Sequence, residues 1–298
     1  MTNTLPLQVR DDRPLDPLAV NLLRHVDEAA RELALDWFIG GATARDIVLT
    51  HVYGIDPERA TADVDIGVCI EAWANHAALK RRLMETGAFT ERRGQAHRLD
   101  FREANGLGQM YLDVVPFGGI QDGANEIAWP PDDAIRLNVS GFAEALGAAW
   151  LVDIDAGFSV PVASPASLAM LKILAWRDRH RESRKDASDL FILIRWYFEA
   201  GNQERVYEEA LDLMEHYGYD AGLAASELLG RDTARIASVC TRAQIIEALA
   251  PASDIPLIFR HMLDAGALVL AEDTPGRKQQ LFMAFRRGFT SACAPSPT

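Results

Sequence analysis

The hydrophobic residues that follow the first polar stretch of the chain repeat at helical spacing. Asp16 suits an N-cap and Pro17 suits the first turn of a helix. We therefore predict a core-facing helix that leads into a strand at Trp37. The buried face of this helix is formed by Leu18, Leu22, Val26, Ala29 and Leu33.

Three later segments alternate between polar and hydrophobic residues, which is typical of strands with one buried face. The first carries Asp63 and Asp65 two positions apart, with aliphatic residues between and after them. The second carries Asp113 between two aliphatic residues. The third, residues 97–102, is expected to pair with the Asp113 strand.

A domain boundary is expected near Ala163, because turn signals become sparse beyond it and helical periodicity takes over. Ser164 and Pro165 form an N-cap and a first helical position. We predict one domain over residues 1–163 and an all-helical domain over residues 164–298. In the first domain we predict helices after Gly41, at 72–86 and at 142–146, and short strands around 127–129, 149–154 and 160–162. In the second we predict helices from Ser164 and Lys185, then at 203–215, 221–229, 231–238, 241–249, 255–268 and 275–288.

The composition is that of a soluble globular protein. Of the 298 residues, 49% are hydrophobic and 24% charged, and no hydrophobic run has the length of a membrane span. The N-terminus lacks a basic-then-apolar signal pattern. The three cysteines have no metal-binding or redox spacing, so we expect a reducing, cytoplasmic location and no membrane partner.

The formal net charge of −13 bears on the partners of the protein. Phosphate contacts dominate the affinity of nucleic-acid binders, which therefore carry a basic surface. An acidic chain does not exclude RNA, because charge can be segregated, but it makes RNA less expected. It also fits a protein that binds a basic partner, or one that binds a nucleotide through a metal ion.

The aspartates are the main candidates for chemistry. Asp63 and Asp65 share one strand face, and two carboxylates that close repel each other unless a cation lies between them. Such oxygen-rich sites suit Mg²⁺ or Mn²⁺, and Asp113 could complete the set. The alternative is that each aspartate is only the polar-face residue of a half-exposed strand.

A Gly-Gly pair lies between the Trp37 strand and the next predicted helix. Gly40 and Gly41 follow the strand directly, and a helical pattern starts at once. Glycine allows the backbone to approach a phosphate closely, and N–H groups at a helix start favour an anion. On its own, such a pair marks any tight strand-to-helix turn.

Taken together, these motifs resemble the polymerase beta-like nucleotidyltransferase superfamily. The motifs Ile-Gly-Gly-Ala, Asp-Val-Asp-Ile and Leu-Asp-Val-Val-Pro-Phe-Gly-Gly are most similar to those of the AbiEii-type nucleotidyltransferases of bacterial toxin–antitoxin systems. The resemblance covers residues 35–195. It implies an α+β, mixed-sheet nucleotidyltransferase domain followed by the all-helical domain.

The resemblance also implies a metal-dependent, pyrophosphate-releasing activity. Asp63, Asp65 and Asp113 would be the catalytic metal ligands, with Mg²⁺ or Mn²⁺ as cofactor, and a nucleoside triphosphate would be the donor. The implied acceptor is an RNA end, in particular that of tRNA, and the implied partner is a cognate antitoxin. The chain departs from the family in a longer interval between Gly41 and Asp63. It also has Gly-Gly where Gly-Ser is usual, so that a phosphate-binding hydroxyl could come only from Thr43.

A basic cluster in the second domain belongs to the same resemblance. It implies that Lys172 and Arg179 bind the triphosphate, with Lys185, Asp186 and Asp189 as supporting residues. The alternative is a solvated helix end in which acidic neighbours pair with these cations.

Two other functions remain open at the level of sequence. One is a small-molecule nucleotidyltransferase of the antibiotic-modifying kind, and the other is a non-catalytic nucleotide-binding or scaffold protein. A basic rim formed by Arg92, Arg93, His97 and Arg98 would favour RNA as the acceptor.

Overall fold

The computed structural model describes residues 5–56, 63–103, 108–250, 256–264 and 274–293. The chain forms two compact units. The first ends at Ser164 and the second begins at Pro165, and the short segment that starts at Ile55 groups with the second unit.

The first unit contains a large mixed sheet. Across this sheet, hydrogen-bonded neighbours follow the order β1-β9-β10-β2-β3-β6-β5-β4. The strands β7 and β8 form a separate two-stranded sheet. The neighbours β3 and β6 are parallel, whereas β5 is antiparallel to β6. The strands are β1 Leu7–Gln8, β2 Trp37–Ile39, β3 Asp63–Ile70, β4 Phe89–Glu91, β5 Arg98–Arg102, β6 Gln109–Gly118, β7 Glu126–Trp129, β8 Ile135–Asn138, β9 Trp150–Asp155 and β10 Phe158–Val162.

Helices of the first unit follow the predicted capping and periodicity. Asp16 accepts a hydrogen bond from the Leu18 amide at 2.8 Å, which confirms it as the N-cap of α1. Leu22 and Val26 of this helix are fully buried, as their spacing predicts. The helices are α1 Pro17–Glu32, α2 Gly41–Asp46 with its π-helical continuation Ile47–Val52, α3 Trp73–Glu85 and α4 Phe142–Gly147.

Alternation along β3 and β6 decides which face of the sheet carries the aspartates. Val64 and Ile66 are buried on β3, and Leu112 and Val114 are buried on β6. Because successive side chains point to opposite faces of a strand, the aspartates between these aliphatic residues lie on the other face. The predicted pairing of residues 97–102 with the Asp113 strand is confirmed by the β5–β6 ladder.

The described part of the second unit is helical, in agreement with the predicted all-helical domain. The prediction of two helices on either side of Gly230 is wrong, because these residues form a single helix, α8 Ala221–Ile236. The predicted helix at 203–215 is divided at Ala210 into a π-helical segment, Arg205–Glu209, and α7. The helices are α5 Pro165–Arg179, α6 Lys185–Trp196, α7 Leu211–His216, α8 Ala221–Ile236, α9 Val239–Ala248, α10 Leu257–Asp264 and α11 Pro275–Ala292.

Three short strands were not predicted from the sequence. These are β1, β4 and β8, each of two to four residues. The sequence of β8, Ile-Arg-Leu-Asn, does alternate, but over only four residues, and both of its hydrophobic side chains are exposed. None of the described helices is both long enough and apolar enough to cross a membrane.

Candidate active site

The three candidate aspartates lie on two neighbouring strands. Asp65 on β3 is directly opposite Asp113 on β6, and Asp63 is opposite Tyr111 in the same parallel ladder. The strand pairing thus brings together residues that are about 50 positions apart in sequence. Asp113 is buried and Asp63 is half-exposed, so the set of three carboxylates can be reached from solvent on its Asp63 side.

The glycine turn packs directly against one of these carboxylates. Gly40 donates its amide hydrogen to the Asp65 carbonyl at 2.8 Å, and Gly41 begins α2 with a φ of +62°. A β-carbon at Gly41 would lie 2.6 Å from Asp65 Cγ and overlap the carboxylate oxygen. Glycine is therefore required here both for the backbone conformation and for the space that the aspartate occupies.

Thr43 connects the same turn to β3. Its hydroxyl donates a hydrogen bond to the Asp63 carbonyl at 2.6 Å, and the residue is buried. The single hydroxyl proton is thus used to hold α2 against the aspartate strand. In this structure Thr43 has a positioning role, and a phosphate contact from it stays a prediction.

A basic residue that the sequence predicts at the rim of the site lies inside it. Arg98 on β5 is opposite Asp113 in the antiparallel ladder. Its Nε and Nη2 atoms donate to the two carboxylate oxygens of Asp113 at 2.7 and 2.6 Å, and Nη2 also reaches Asp63 Oδ2 at 3.3 Å. The hydrogen bond to Asp113 and the negative charges of both aspartates raise the pKa of Arg98, although partial burial opposes them. Arg98 therefore stays charged.

Aromatic side chains surround the Asp113 side of the site. His97 Nε2 lies 4.0 Å from Asp113 Oδ1, and the His97 ring is 6.2 Å from that of Trp129. Trp129 in turn packs edge-on against His76 at 5.4 Å. Burial, followed by the charge of Lys80, lowers the pKa of His76 to about 4, so this ring is neutral at physiological pH.

The donor set fits a divalent cation in its chemistry and its strand register, but not in its present side-chain conformation. Three carboxylates on adjacent strands offer the oxygen ligands that Mg²⁺ and Mn²⁺ prefer. Within the residues that the structure describes, however, no group of three or more His, Cys, Asp or Glu side chains is arranged to hold a metal ion. Both oxygens of Asp113 accept hydrogen bonds from Arg98 instead.

A cavity of about 530 Å³ lies at the end of β4, which is the edge strand of the sheet and pairs with β5. Arg92 and Arg93 line it together with Trp129. The Arg92 guanidinium is 4.8 Å from the Tyr111 ring and 3.4 Å from Asp100 Oδ1, whereas Arg93 is exposed. The lining also contains Lys80 and the carboxylates of Glu91 and Asp132, so cationic and acidic side chains are mixed at this edge.

The remaining site candidates form a separate cluster in the second unit. Lys172 Nζ contacts Asp186 Oδ1 at 3.1 Å and Asp189 Oδ2 at 2.6 Å. Arg179 donates from Nε and Nη2 to Asp186 at 2.7 and 2.9 Å. Burial raises the pKa of Asp186, but the hydrogen bond from Arg179 and the charges of Lys172 and Arg179 outweigh it, so the net shift is downward. Lys185 is exposed at the start of α6.

The exposures of these side chains separate their roles. The side chains of Asp186 and Asp189 are 1% and 5% exposed and that of Lys172 is 13% exposed, whereas Arg179 is 56% exposed. Lys172 is therefore part of a buried ion-pair network rather than a solvated helix end. Of the four side chains in the network, Arg179 has by far the largest accessible surface, and Lys185, next to Asp186 in the chain, is also exposed.

Comparison with known proteins gave one family and several structural neighbours. The model of the family described as nucleotidyl transferase AbiEii toxin, type IV TA system, matches residues 22–264. No curated protein matches the chain significantly.

Among solved structures, the antibiotic-resistance factor ANT(2'')-Ia in solution is 17% identical over 69% of this chain and 99% of that chain, with a TM-score of 0.37. An antigenic nucleotidyltransferase-like protein from Paracoccidioides brasiliensis is 18% identical over 72% of this chain and 95% of that chain, with a TM-score of 0.40. The Thermotoga maritima CCA-adding enzyme, complexed with tRNA, is 14% identical over 95% of this chain and 83% of that chain, with a TM-score of 0.26.

The family match extends over more than half of the chain and includes the glycine turn, all three candidate aspartates and the Lys172 cluster. The protein belongs to the AbiEii nucleotidyltransferase toxin family of type IV toxin–antitoxin systems.

Proposed function

We propose that this protein is a metal-dependent nucleotidyltransferase that transfers a nucleotide from a nucleoside triphosphate to an acceptor hydroxyl and releases pyrophosphate. The observation that carries the proposal is the position of Asp65, which contacts the Gly41 turn on one side and lies opposite Asp113 on the other. Family membership supports the class of reaction.

Each residue of this group has a distinct part in the proposal. Asp63 and Asp65 would hold Mg²⁺ or Mn²⁺ together with the triphosphate, and Asp113 would complete the ligand set on the acceptor side. Bound there, the cations would stabilise the charge that develops on the attacking and leaving oxygens. Gly41 leaves room for the Asp65 carboxylate. A glycine at the start of α2 would also let a phosphate group approach the backbone closely.

For the acceptor we propose an RNA end, with tRNA as the expected class. The support is the position of Arg92 and Arg93 at the end of β4, two strands from Asp113 along the sheet. Cationic side chains beside an acceptor site can neutralise the phosphates that precede a terminal hydroxyl. Membership of a toxin–antitoxin family also leads us to propose a cognate antitoxin as partner.

A small-molecule acceptor is the second candidate, and two observations favour it. The net charge of −13 disfavours a polyanion. The cavity beside Trp129, at about 530 Å³, is within the range that drug-sized ligands occupy, about 300–1,000 Å³.

One labelling experiment distinguishes these functions. The protein is incubated with each of the four radiolabelled triphosphates, Mg²⁺ or Mn²⁺, total cellular RNA and a panel of aminoglycosides. Asp65→Asn and a chelator serve as controls, and we expect label on RNA that both controls abolish. Label only on the aminoglycosides would establish the second candidate. Absence of label, together with triphosphate binding that a chelator does not weaken, would indicate a non-catalytic protein.

A further inference from the structure

We infer that Arg98 is an internal counter-ion of the metal site, which holds Asp113 when no cation is bound and competes with a bound cation for its oxygens. The inference rests on the proposed function, since it concerns a divalent cation at the three aspartates. It assigns to Arg98 a positioning role that acts through Asp113. Metal affinity would then be set by competition with this arginine as well as by the ligands themselves.

The strand register places Asp113 between two alternatives. On one side, across the parallel ladder, it faces Asp65, and on the other, across the antiparallel ladder, it faces Arg98. All three side chains therefore stand in one row across β3, β6 and β5. The carboxylate of Asp113 can complete a cation site toward Asp65, or it can form an ion pair with Arg98.

The structure shows the second arrangement in full. Arg98 uses Nε and Nη2 for the two oxygens of Asp113, a fork-to-fork geometry that is stronger than a single contact between point charges. Nη2 also lies 3.3 Å from Asp63 Oδ2, so the same guanidinium contacts two of the three carboxylates. Its side chain is only 19% exposed, which limits the screening of these contacts by water.

The two arrangements compete at Asp113. A cation bound by Asp113 would share at least one of the oxygens that Arg98 now contacts, and it would lie close to a positive charge. By Coulomb's law, a unit charge about 5 Å from a divalent ion lowers its affinity by at least about tenfold, even at the dielectric constant of water. Arg98 should therefore weaken metal binding in the absence of substrate.

The Tyr111 ring, which Arg92 also contacts, lies beside the Arg98 guanidinium. The carbon at the centre of the Arg98 guanidinium lies 5.2 Å from this ring, within the range of a cation–π contact. Tyr111 also stands opposite Asp63 in the ladder, next to the carboxylate row. A guanidinium released from Asp113 can thus remain on the acceptor side of the site without leaving its own strand face.

Binding of Mn²⁺ to the full chain, measured by calorimetry without nucleotide, tests this inference. We expect Arg98→Met to bind Mn²⁺ at least about tenfold more tightly than the wild type. Arg102→Met is the matched control, because Arg102 lies on the same face of β5 but pairs with Gln109. It should bind Mn²⁺ as the wild type does. In an Asp113→Asn background the competition for Asp113 is absent and only the charge repulsion remains, so Arg98→Met should change the affinity less.

Thermal unfolding provides a second readout that does not depend on activity. Without metal, Arg98→Met should unfold at a lower temperature than the wild type, because the carboxylates no longer have their counter-ion. Added Mn²⁺ should then raise its Tm by more than it raises that of the wild type. Arg98→Lys keeps the positive charge but loses the two-point contact with Asp113, so its Mn²⁺ affinity should lie between those of the wild type and Arg98→Met. If Arg98→Met does not fold, the comparison of Arg98→Lys with the wild type tests the inference.

Unchanged or weaker Mn²⁺ binding by the Arg98 variants, with normal binding by the wild type, would overturn the counter-ion role and leave the proposed function intact. If neither the wild type nor the variants bound Mn²⁺, with or without a triphosphate, the metal-dependent function would fail as well. Mn²⁺ binding that is tighter in Arg98→Met than in the wild type and in Arg102→Met would support the counter-ion role directly.

Discussion

Gly41 and Asp65 are in such close contact that no other residue fits at the glycine position. A β-carbon there would lie 2.6 Å from Asp65 Cγ, and the φ of +62° disfavours any side chain in addition. We predict that Gly41→Ala displaces the Asp65 carboxylate and abolishes triphosphate binding in the presence of Mn²⁺, as measured by calorimetry.

Gly87→Ala separates the two causes of this effect. Gly87 has a φ of +77° but no atom within 4 Å of the position of a β-carbon, so its substitution adds backbone strain alone, about 1 kcal/mol. We expect Gly41→Ala to lower the free energy of unfolding by more than Gly87→Ala does. Equal losses in the two variants, with triphosphate binding retained, would contradict the close contact.

Removal of Lys172 should destabilise the second unit. Its ammonium lies between Asp186 and Asp189, whose side chains are almost fully buried. Breaking a buried ion pair from one side leaves a carboxylate without its partner and costs about 3–5 kcal/mol. We predict a loss toward the lower end of this range for Lys172→Met in chemical denaturation, because Arg179 still compensates Asp186.

Two further variants separate stability from nucleotide binding at this cluster. Lys185→Met alters an exposed lysine at the start of α6 and should leave the free energy of unfolding nearly unchanged. Arg179→Met removes a side chain that is 56% exposed and, because Lys172 still pairs with Asp186, should cost less stability than Lys172→Met. If Arg179 binds the triphosphate, this variant should raise the KM for nucleotide with a small change in kcat. An unchanged KM would restrict Arg179 to its pairing with Asp186.

The same network makes stability depend on pH in the acid range. The pKa of Asp186 in the folded protein is lower than its ordinary value of 3.8, because the hydrogen bond and charges of Arg179 and Lys172 outweigh its burial. A depressed pKa means that the unfolded state takes up the proton first. This contribution to stability is therefore complete above about pH 4 to 5 and is lost as the pH falls through the folded-state pKa.

Asp186→Asn should be less stable than the wild type at pH 7, and the difference between them should decrease as the pH is lowered from 5 toward 2. Thermal unfolding at several pH values measures this difference. A difference that stays constant over that range would show that the carboxylate charge of Asp186 does not contribute.

The sequence predicted the position of the aspartates because that information is local. A period of two along a strand assigns Asp63 and Asp65 to one face without any knowledge of the fold. The contact between Arg98 and Asp113 is different in kind. It depends on the register of β5 against β6, and a shift of one residue would have placed Leu99 opposite Asp113 instead. The alternation of residues 97–102 indicated a strand beside Asp113, but not which side chain would meet it.

Gly230 shows how a local signal can be misleading. Glycine in a helical pattern suggests an end, yet α8 continues through this position. A β-carbon at Gly230 would overlap the Phe285 carbonyl oxygen and lie 2.7 Å from the Phe289 amide nitrogen, both on α11. Gly288 on α11 is equally close to the backbone of Glu227 on α8. The two glycines allow the backbones of α8 and α11, which are far apart in the sequence, to touch. Nothing in the local sequence indicates such a contact.

The acceptor can be tested through a single arginine. Arg93 is exposed at the cavity beside β4, whereas Arg92 is held by Asp100 and the Tyr111 ring. Reversing the charge of Arg92 would place two carboxylates together and disturb the site itself, so Arg93→Glu is the more informative variant. If this edge binds an RNA backbone, Arg93→Glu should weaken RNA binding and labelling while leaving triphosphate affinity unchanged.

Arg81→Glu is the matched control, because Arg81 is an exposed arginine on α3 of the same unit and the change in net charge is identical. Fluorescence anisotropy with labelled tRNA, over a range of salt concentrations, gives the number of neutralised phosphates. The slope of log affinity against log salt should become shallower by about 0.7–0.9 for each phosphate that Arg93→Glu no longer neutralises. In Arg81→Glu the slope should stay that of the wild type. An equal loss of affinity in the two variants would show that net charge, and not a binding edge at Arg93, governs the interaction with RNA.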